Sequence, residues 1–302
     1  MKFYQNKSID ISSYIPMKKR CVATANIVLL SLLLFSSSII VISYFPLANA
    51  QPEFQTLPVL LIHGYKSEPE VWNQWLPELE KEGIKAKAVH FPINDDCGSS
   101  ESHAQQLDRI VQRFKIETGA DKINVVAHSK GGLDTRVYLS NDLSNDDIAN
   151  LIMIGTPNLG SPLATATLAF AAGSLTINPL MYPYLRAFFC MPALQDLVPG
   201  SPATEAEINE NTQYFTIAGD WTPSPYYNFF YPFSDSECPQ PSWLPLQRWA
   251  SDFLIFGGDD GIVPLWSAAS QQFENIGVTD NCHTNLFEID EEYAIVKEIL
   301  LP

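Results

Sequence analysis

Apolar residues follow two alternating patterns along this chain. Short continuous apolar runs predict β-strands at 58–62, 84–91, 123–127, 148–154 and 214–219. Between these runs, apolar side chains recur at helical spacing, as they do at 70–79 and 101–116. A run that is apolar at every position is typical of a strand buried on both faces of a parallel sheet. The alternation therefore predicts an α/β fold, with a mostly parallel central sheet and helices on both faces.

Two stretches interrupt this alternation, at about 163–212 and 221–250, and both are rich in apolar and aromatic residues. Residues 163–172 are apolar enough for a helix, whereas 181–191 and 226–233 are strongly aromatic. These inserts suggest a lid or cap over a site and a binding wall for an apolar, acyl-type group. The alternative is that both inserts simply pack onto the sheet, as aromatic clusters usually do. The sequence leaves both interpretations of these inserts open.

The first fifty residues have the pattern of an export signal. Three basic residues at 18–20 precede a nearly charge-free apolar run over 22–45, and small residues at Ala48 and Ala50 resemble a cleavage site. We expect a signal peptide over 1–50, cleavage after Ala50 and a secreted or extracytoplasmic domain over 51–302. Because the run is long enough to cross a bilayer, an uncleaved N-terminal membrane anchor is the alternative.

The net charge of the chain is −16, and the predicted exported part carries −20 because five of the 18 basic residues but only one of the 34 acidic residues lie in the first fifty. A surface that acidic disfavours nucleic acid and anionic membranes as partners. The 252 residues after the predicted signal suffice for one α/β domain with its own core. We expect a monomer.

Four cysteines remain in the predicted exported part: Cys97, Cys190, Cys238 and Cys282. In an oxidising compartment they can form two disulfides in three connectivities. We favour the pair Cys190–Cys238, because both residues lie in the inserts. No spacing of cysteine and histidine resembles a zinc site, and no metal or cofactor is expected.

Residues 125–132, Val-Val-Ala-His-Ser-Lys-Gly-Gly, follow a predicted strand and precede a predicted helix. This context is typical of a nucleophile elbow, a strained turn with the nucleophile, here Ser129, at its apex. Strand and helix approach closely in such a turn, and the small residues Ala127 and Gly131 allow that approach. The alternative is an ordinary turn in which Ser129 caps the helix.

A serine hydroxyl needs a neighbouring base, and that base needs a carboxylate to orient it. In folds with this elbow the order along the chain is serine, acid, histidine. His283 is the one histidine that follows Ser129, so it is the predicted base. We predict Asp260 as the acid, with its neighbour Asp259 as the alternative. The other histidines are expected to be structural, packed or solvated: His63, His90, His103 and His128.

Negative charge that develops on a substrate carbonyl oxygen needs backbone donors. We predict that the N–H of Lys130, next to the nucleophile, is one donor, and that the N–H of Tyr65, after His63-Gly64, is the other. Both roles use main-chain atoms. We therefore expect that replacing these side chains leaves catalysis largely intact.

Together these motifs resemble those of secreted lipases and esterases of the α/β-hydrolase superfamily. The resemblance extends from about residue 57 to the C-terminus and rests on these segments: His63-Gly64, the elbow at 124–134, the Gly-Thr-Pro-Asn-Leu-Gly-Ser-Pro turn at 155–162, the Asp-Asp-Gly-Ile-Val-Pro segment at 259–264, and His283. It implies an α/β-hydrolase fold and hydrolysis of carboxylic esters of lipids or other apolar acyl substrates through an acyl-enzyme on Ser129. It also implies that the 156–162 turn borders the acyl pocket and that the enzyme can meet a lipid–water interface.

One position departs from this pattern. Several bacterial lipases of this kind bind calcium through an aspartate two residues after the catalytic histidine, whereas this chain has Asn285 there. An amide is a weaker calcium ligand than a carboxylate, so no metal is predicted. The motifs do not separate an ester hydrolase from a lipid acyltransferase, a phospholipid or lipid-anchor deacylase, or a polyester hydrolase. A non-catalytic lipid-binding protein would be expected to lack a triad residue, and none is missing.

Overall fold

Six parallel strands form one sheet in the computed structural model, in the order β2-β1-β3-β4-β5-β6. The structure describes residues 56–93, 97–141, 144–221, 254–255, 257–288 and 291–301. The predicted signal segment lies outside them. The strands are β1 (Val59–Ile62), β2 (Ala86–Ala88), β3 (Ile123–His128), β4 (Ile148–Ile154), β5 (Gln213–Gly219) and β6 (Glu274–Thr279).

The central strands are apolar because helices cover both of their faces. Every residue of β1 and β3 is buried. Along β1, Leu60 and Ile62 belong to one hydrophobic cluster and Val59 and Leu61 to another, as the two-residue alternation of a strand requires. The predicted parallel α/β architecture is confirmed.

The helices of the described residues are α1 (Trp75–Lys81), α2 (Ser100–Thr118), α3 (Lys130–Ser140), α4 (Pro162–Ile177), α5 (Tyr182–Phe188), α6 (Met191–Asp196), α7 (Leu265–Ala268) and α8 (Glu291–Leu300). The helix predicted over 101–116 corresponds to α2. Ser99 caps its N-terminus by accepting the N–H of Ser102, and Gly119 ends it in the left-handed conformation, with φ of 75°.

The predicted elements near the sheet edges differ from the observed ones. The strand predicted at 84–91 is paired only over β2, which lies at one edge of the sheet. The helix predicted at 70–79 divides into a 3-10 turn, Pro69–Trp72, and α1. Pro77 lies in the first turn of α1, where its missing N–H would have no partner within the helix. Sequence patterns missed β6, because this edge strand is largely exposed and not uniformly apolar.

The insert at 163–212 contains most of α4 and all of α5 and α6, and it both packs on the core and faces solvent. Ala171 and Leu194 are buried in the main hydrophobic cluster. In contrast, Phe170, Ile177 and Tyr184 are 66%, 87% and 70% exposed. The insert therefore presents an apolar surface. The second predicted insert, 221–250, lies outside the described residues except for Trp221.

A disulfide joins Cys97 to Cys190, so the predicted pair Cys190–Cys238 is wrong. The fold brings the junction between α5 and α6 next to the start of α2, across a sequence separation of 93 residues. Loop composition carries no information about such proximity. Cys282 is also disulfide-bonded, and Cys238 lies outside the described residues. Within the part of the chain that the structure describes, no helix has the length and hydrophobicity to span a membrane.

Candidate active site

Ser129 occupies a strained turn between β3 and α3. Its backbone has φ of 54° and ψ of −127°, a conformation that residues other than glycine rarely adopt. The turn is closely packed: a Cβ added to Gly131 would lie 2.5 Å from the carbonyl oxygen of His63. A Cβ added to Gly64 would lie 2.8 Å from the Cβ of Ser129. These contacts explain why the small residues of the motif are needed.

His283 lies between Ser129 and Asp260. Its Nε2 is 2.9 Å from the Oγ of Ser129, and its Nδ1 is 2.7 Å from Oδ2 of Asp260. Ser129 and His283 are only 6% and 5% exposed, and Asp260 is fully buried. Ser129 directly follows β3, and the other two lie in the segments after β5 and β6, so the carboxyl ends of parallel strands bring all three together.

The carboxylate of Asp260, not that of Asp259, faces His283. Oδ1 of Asp260 accepts the N–H groups of Ile262 and Val263 at 3.0 and 2.7 Å, which leaves Oδ2 for the imidazole. Oδ1 of Asp259 accepts the N–H of Gly261 at 2.7 Å and so stabilises the turn. Two carboxylates adjacent in sequence therefore have different positions in the site.

His128 packs against His283, the candidate base. Its Nε2 donates to the carbonyl oxygen of His283 at 2.9 Å, and the two ring centroids are 4.7 Å apart. Burial, together with the proximity of His283, holds the pKa of His128 well below its ordinary value, so the ring is neutral near pH 7. Sequence reasoning assigned His128 a structural position but missed this contact, which depends on the loop after β6.

The remaining histidines have no contact with Ser129 among the described hydrogen bonds. His103 is buried, stacks on Phe91 with 4.0 Å between ring centroids, and lies 2.7 Å from a carboxylate oxygen of Asp134. His63 is buried at the end of β1, and His90 is exposed. The expected packing role fits His103, but the ion pair was not predicted.

Tyr65 and Ser129 line one cleft of about 150 Å³, as do Leu197, Ile262 and Phe287. A smaller pocket of about 40 Å³ lies beside it under α4, and Tyr65, Leu197 and Ile262 contribute to both. The smaller pocket is lined mostly by apolar side chains and also by Ser161, from the turn that was expected to border the acyl site. An apolar group attached to a carbonyl near Ser129 could extend into it.

The two residues predicted to supply the oxyanion donors are both close to Ser129, one in the same cleft and one next to it in the chain. Tyr65 follows the end of β1 and lines the cleft. Lys130 is the first residue of α3, and the N–H groups of a helix's first turn have no acceptor within the helix. Within the described residues, no group of three or more histidine, cysteine, aspartate or glutamate side chains could hold a metal ion, and Asn285 is not part of such a group.

Comparison with known proteins relates the chain to lipases. A family model described as the α/β hydrolase fold matches residues 58–184. A triacylglycerol lipase of Pseudarthrobacter phenanthrenivorans is 27% identical over 113 residues, 35% of this chain and 35% of the relative. A triacylglycerol lipase of Vibrio cholerae is 30% identical over 144 residues, 46% of this chain and 45% of the relative. The chain thus matches less than half the length of these curated relatives.

The similarity to solved structures covers more of the chain. A Bacillus licheniformis lipase in its mature form has a TM-score of 0.60 and 20% identity, over 83% of this chain and 94% of that one. At this identity the likeness establishes the fold. Together with the family model and the sequence relatives, it confirms the resemblance to lipases and esterases with the α/β-hydrolase fold.

Proposed function

We propose that this chain, which has the α/β-hydrolase fold, is a serine ester hydrolase acting on carboxylic esters of lipids or other apolar acyl substrates. The observation that carries the proposal is the hydrogen-bonded chain from Ser129 through His283 to Asp260, with the serine held on a strained elbow. A nucleophile, a base and an orienting carboxylate in this geometry are what acyl transfer requires.

In the proposed reaction, Oγ of Ser129 attacks the ester carbonyl carbon while Nε2 of His283 takes the hydroxyl proton. Asp260 orients the imidazole and stabilises its protonated form. The N–H groups of Tyr65 and Lys130 would stabilise the tetrahedral oxyanion. Collapse of this intermediate expels the alcohol, which takes the proton from His283 and leaves an acyl-serine. A water, deprotonated by His283, then releases the acid and restores Ser129.

The apolar lining of the cleft and of the pocket beside it supports an apolar acyl group as the substrate. Leu197, Ile262 and Phe287 surround the space in front of Ser129, and among the described residues that line the cleft only Lys66 carries a permanent charge. The triacylglycerol lipases among the relatives are consistent with lipid esters. A pocket of about 40 Å³ favours slender acyl chains over bulky ring systems.

We also propose that the insert contacts a lipid–water interface. Large apolar side chains on one insert are exposed: Phe170, Ile177, Leu180, Met181, Tyr182, Tyr184 and Phe188. Exposed apolar patches of this kind mark interaction surfaces. Because the predicted exported part carries a net charge of −20, a neutral or zwitterionic lipid surface suits it better than an anionic one.

The test is covalent labelling of the full chain with a fluorophosphonate, next to hydrolysis of p-nitrophenyl esters of increasing acyl length. Ser129→Ala should lose both labelling and hydrolysis. Ser140→Ala, at the far end of α3, should keep both. Labelling that survives in Ser129→Ala would place the nucleophile elsewhere. Hydrolysis that jumps once the ester forms an interface supports the interfacial proposal, and smooth saturation contradicts it.

We further propose that the chain is exported and cleaved after Ala50. N-terminal sequencing of protein from the medium and from membranes tests this. An N-terminus at Gln51 in the medium supports it, whereas an intact N-terminus in membranes supports the uncleaved anchor.

A further inference from the structure

The side chains of both proposed oxyanion donors contact one short segment, residues 189–196, which consists of α6 and the two residues before it. The hydroxyl of Tyr65 donates to the carbonyl oxygen of Phe189, two residues before α6 begins, at 2.6 Å. The Nζ of Lys130 lies 3.7 Å from Oδ2 of Asp196, the last residue of α6. The side chains of the two proposed donor residues are therefore held at opposite ends of this segment.

Helix α6 is itself attached firmly to the body of the protein. Cys190, which precedes it, is joined to Cys97 by the disulfide. Oδ2 of Asp196 accepts the N–H of Ser100, the first residue of α2, at 2.6 Å. The main-chain carbonyl of Asp196 accepts the hydroxyl of Ser201 at 2.6 Å. These attachments make α6 a fixed support rather than a freely moving part of the insert.

Burying the Lys130 ammonium costs free energy, although this side chain takes no part in the proposed reaction. The residue is only 1% exposed and forms an ion pair with Asp134, one turn along α3. Burial alone would raise the pKa of Asp134, but the charges of Lys130 and His103 outweigh it and hold that pKa far below its ordinary value. Apolar side chains at such positions often stabilise a fold as well as a buried ion pair does. Positioning of Lys130 therefore explains the ammonium better than stability of the fold does.

We propose that α6 positions the oxyanion hole, with the side chains of Tyr65 and Lys130 acting as its two anchors. The inference rests on the proposed function. It replaces the expectation that only main-chain atoms of these residues matter.

This arrangement predicts a specific kinetic signature. An oxyanion hole acts on charge that appears only in the transition state, so a misplaced donor lowers kcat and leaves KM nearly unchanged. Tyr65→Phe keeps the ring that lines both the cleft and the pocket beside it, so the binding of the acyl group should change little. A defect in packing alone would instead alter KM or the stability of the fold.

The experiment compares Tyr65→Phe with Tyr293→Phe, which removes the same hydroxyl from a residue of α8 that does not line the cleft. Tyr65→Phe should lower kcat roughly tenfold to a hundredfold, less than the loss of a whole donor. A trifluoromethyl ketone, whose adduct with Ser129 carries an oxyanion, should bind more weakly by the same factor. Tyr293→Phe should match the wild type in both measurements.

Asp196→Asn and Lys130→Arg provide the second arm and do not depend on how well Tyr65→Phe folds. Asp196→Asn keeps the side-chain volume and an acceptor for Ser100 but removes the charge facing Lys130, so kcat and ketone affinity should fall together. Lys130→Arg keeps the charge and should retain more activity than Lys130→Met. Thermal unfolding identifies any variant that has lost its fold.

Wild-type kcat and ketone affinity in both Tyr65→Phe and Asp196→Asn would overturn the inference, as would a loss expressed only in KM. Failure of the proposed function has a different result. In that case the wild-type chain itself would neither hydrolyse esters nor react with the fluorophosphonate.

Discussion

The imidazole of His128 donates its Nε2 hydrogen to the main-chain carbonyl oxygen of His283 across 2.9 Å. The two residues are 155 positions apart, and their rings lie within 4.7 Å of one another. His128 also packs edge-on against Phe287, at 5.0 Å between centroids. His128, the residue before the proposed nucleophile, thus holds in place the loop that carries His283.

Replacing His128 by Phe should weaken both the fold and the reaction. The carbonyl of His283 would lose a buried donor, which costs about 1–3 kcal/mol of unfolding free energy, and the loop would shift. His128→Gln retains a donor and should lose less on both counts. Urea denaturation and kcat for a p-nitrophenyl ester measure the two effects. Equal values for Phe and Gln would contradict this role of the hydrogen bond.

Asp260→Asn should be far more damaging to activity than Asp259→Asn. The introduced amide would present the wrong partner to His283 Nδ1, and comparable changes in serine hydrolase triads lower kcat by about 10⁴-fold. Asp259 accepts the N–H of Gly261 within the turn, so its replacement should reduce kcat by less than about tenfold. Steady-state hydrolysis distinguishes them. Similar losses in both variants would remove Asp260 from its proposed role.

Gly131→Ala should disrupt the elbow, whereas Gly173→Ala should be harmless. An added Cβ at Gly131 meets the carbonyl oxygen of His63 at 2.5 Å, and overpacking of this kind costs roughly 1–3 kcal/mol. Gly173 lies in α4 with nothing within 4 Å of an added Cβ, and alanine favours a helix by up to about 1 kcal/mol. Chemical denaturation and the rate of fluorophosphonate labelling test both. Unchanged labelling of Gly131→Ala would mean that the turn tolerates a wider separation.

Glu292 should make the stability of the protein fall as the pH rises. It is fully buried in α8, and its Oε1 accepts hydrogen bonds from Thr279 and Asn281. Burial raises the pKa of Glu292, so the folded protein binds this proton more tightly than the unfolded chain does. The resulting stabilisation is complete below the unfolded pKa of about 4.3 and is lost as the pH rises through the folded pKa.

Glu292→Gln remains neutral at every pH and should gain stability relative to the wild type between about pH 5 and 8. Urea denaturation at both pH values measures the change in the free energy of unfolding. Glu298→Gln, on the exposed side of the same helix, is the matched control. A difference between wild type and Glu292→Gln that does not vary with pH would show that Glu292 is ionised in the folded protein without penalty.

Tertiary structure decided several features that no local pattern contains. It separated the roles of Asp259 and Asp260, which have the same chemistry and adjacent positions, through the direction in which each carboxylate points. It joined Cys190 to Cys97 rather than to Cys238. It also brought the side chains of Tyr65 and Lys130 to the segment 189–196, whereas sequence reasoning had predicted a role only for their main-chain N–H groups.

The sequence by itself determined the α/β architecture, the elbow at Ser129 and the identity of the candidate histidine. Buried strands must be apolar, a tight strand-to-helix turn needs small residues, and His283 has no competitor after Ser129. Such features depend on the burial and backbone of neighbouring residues, so a local pattern records them. Contacts between residues of different elements depend on how those elements pack, and only the folded chain determines which side chains meet.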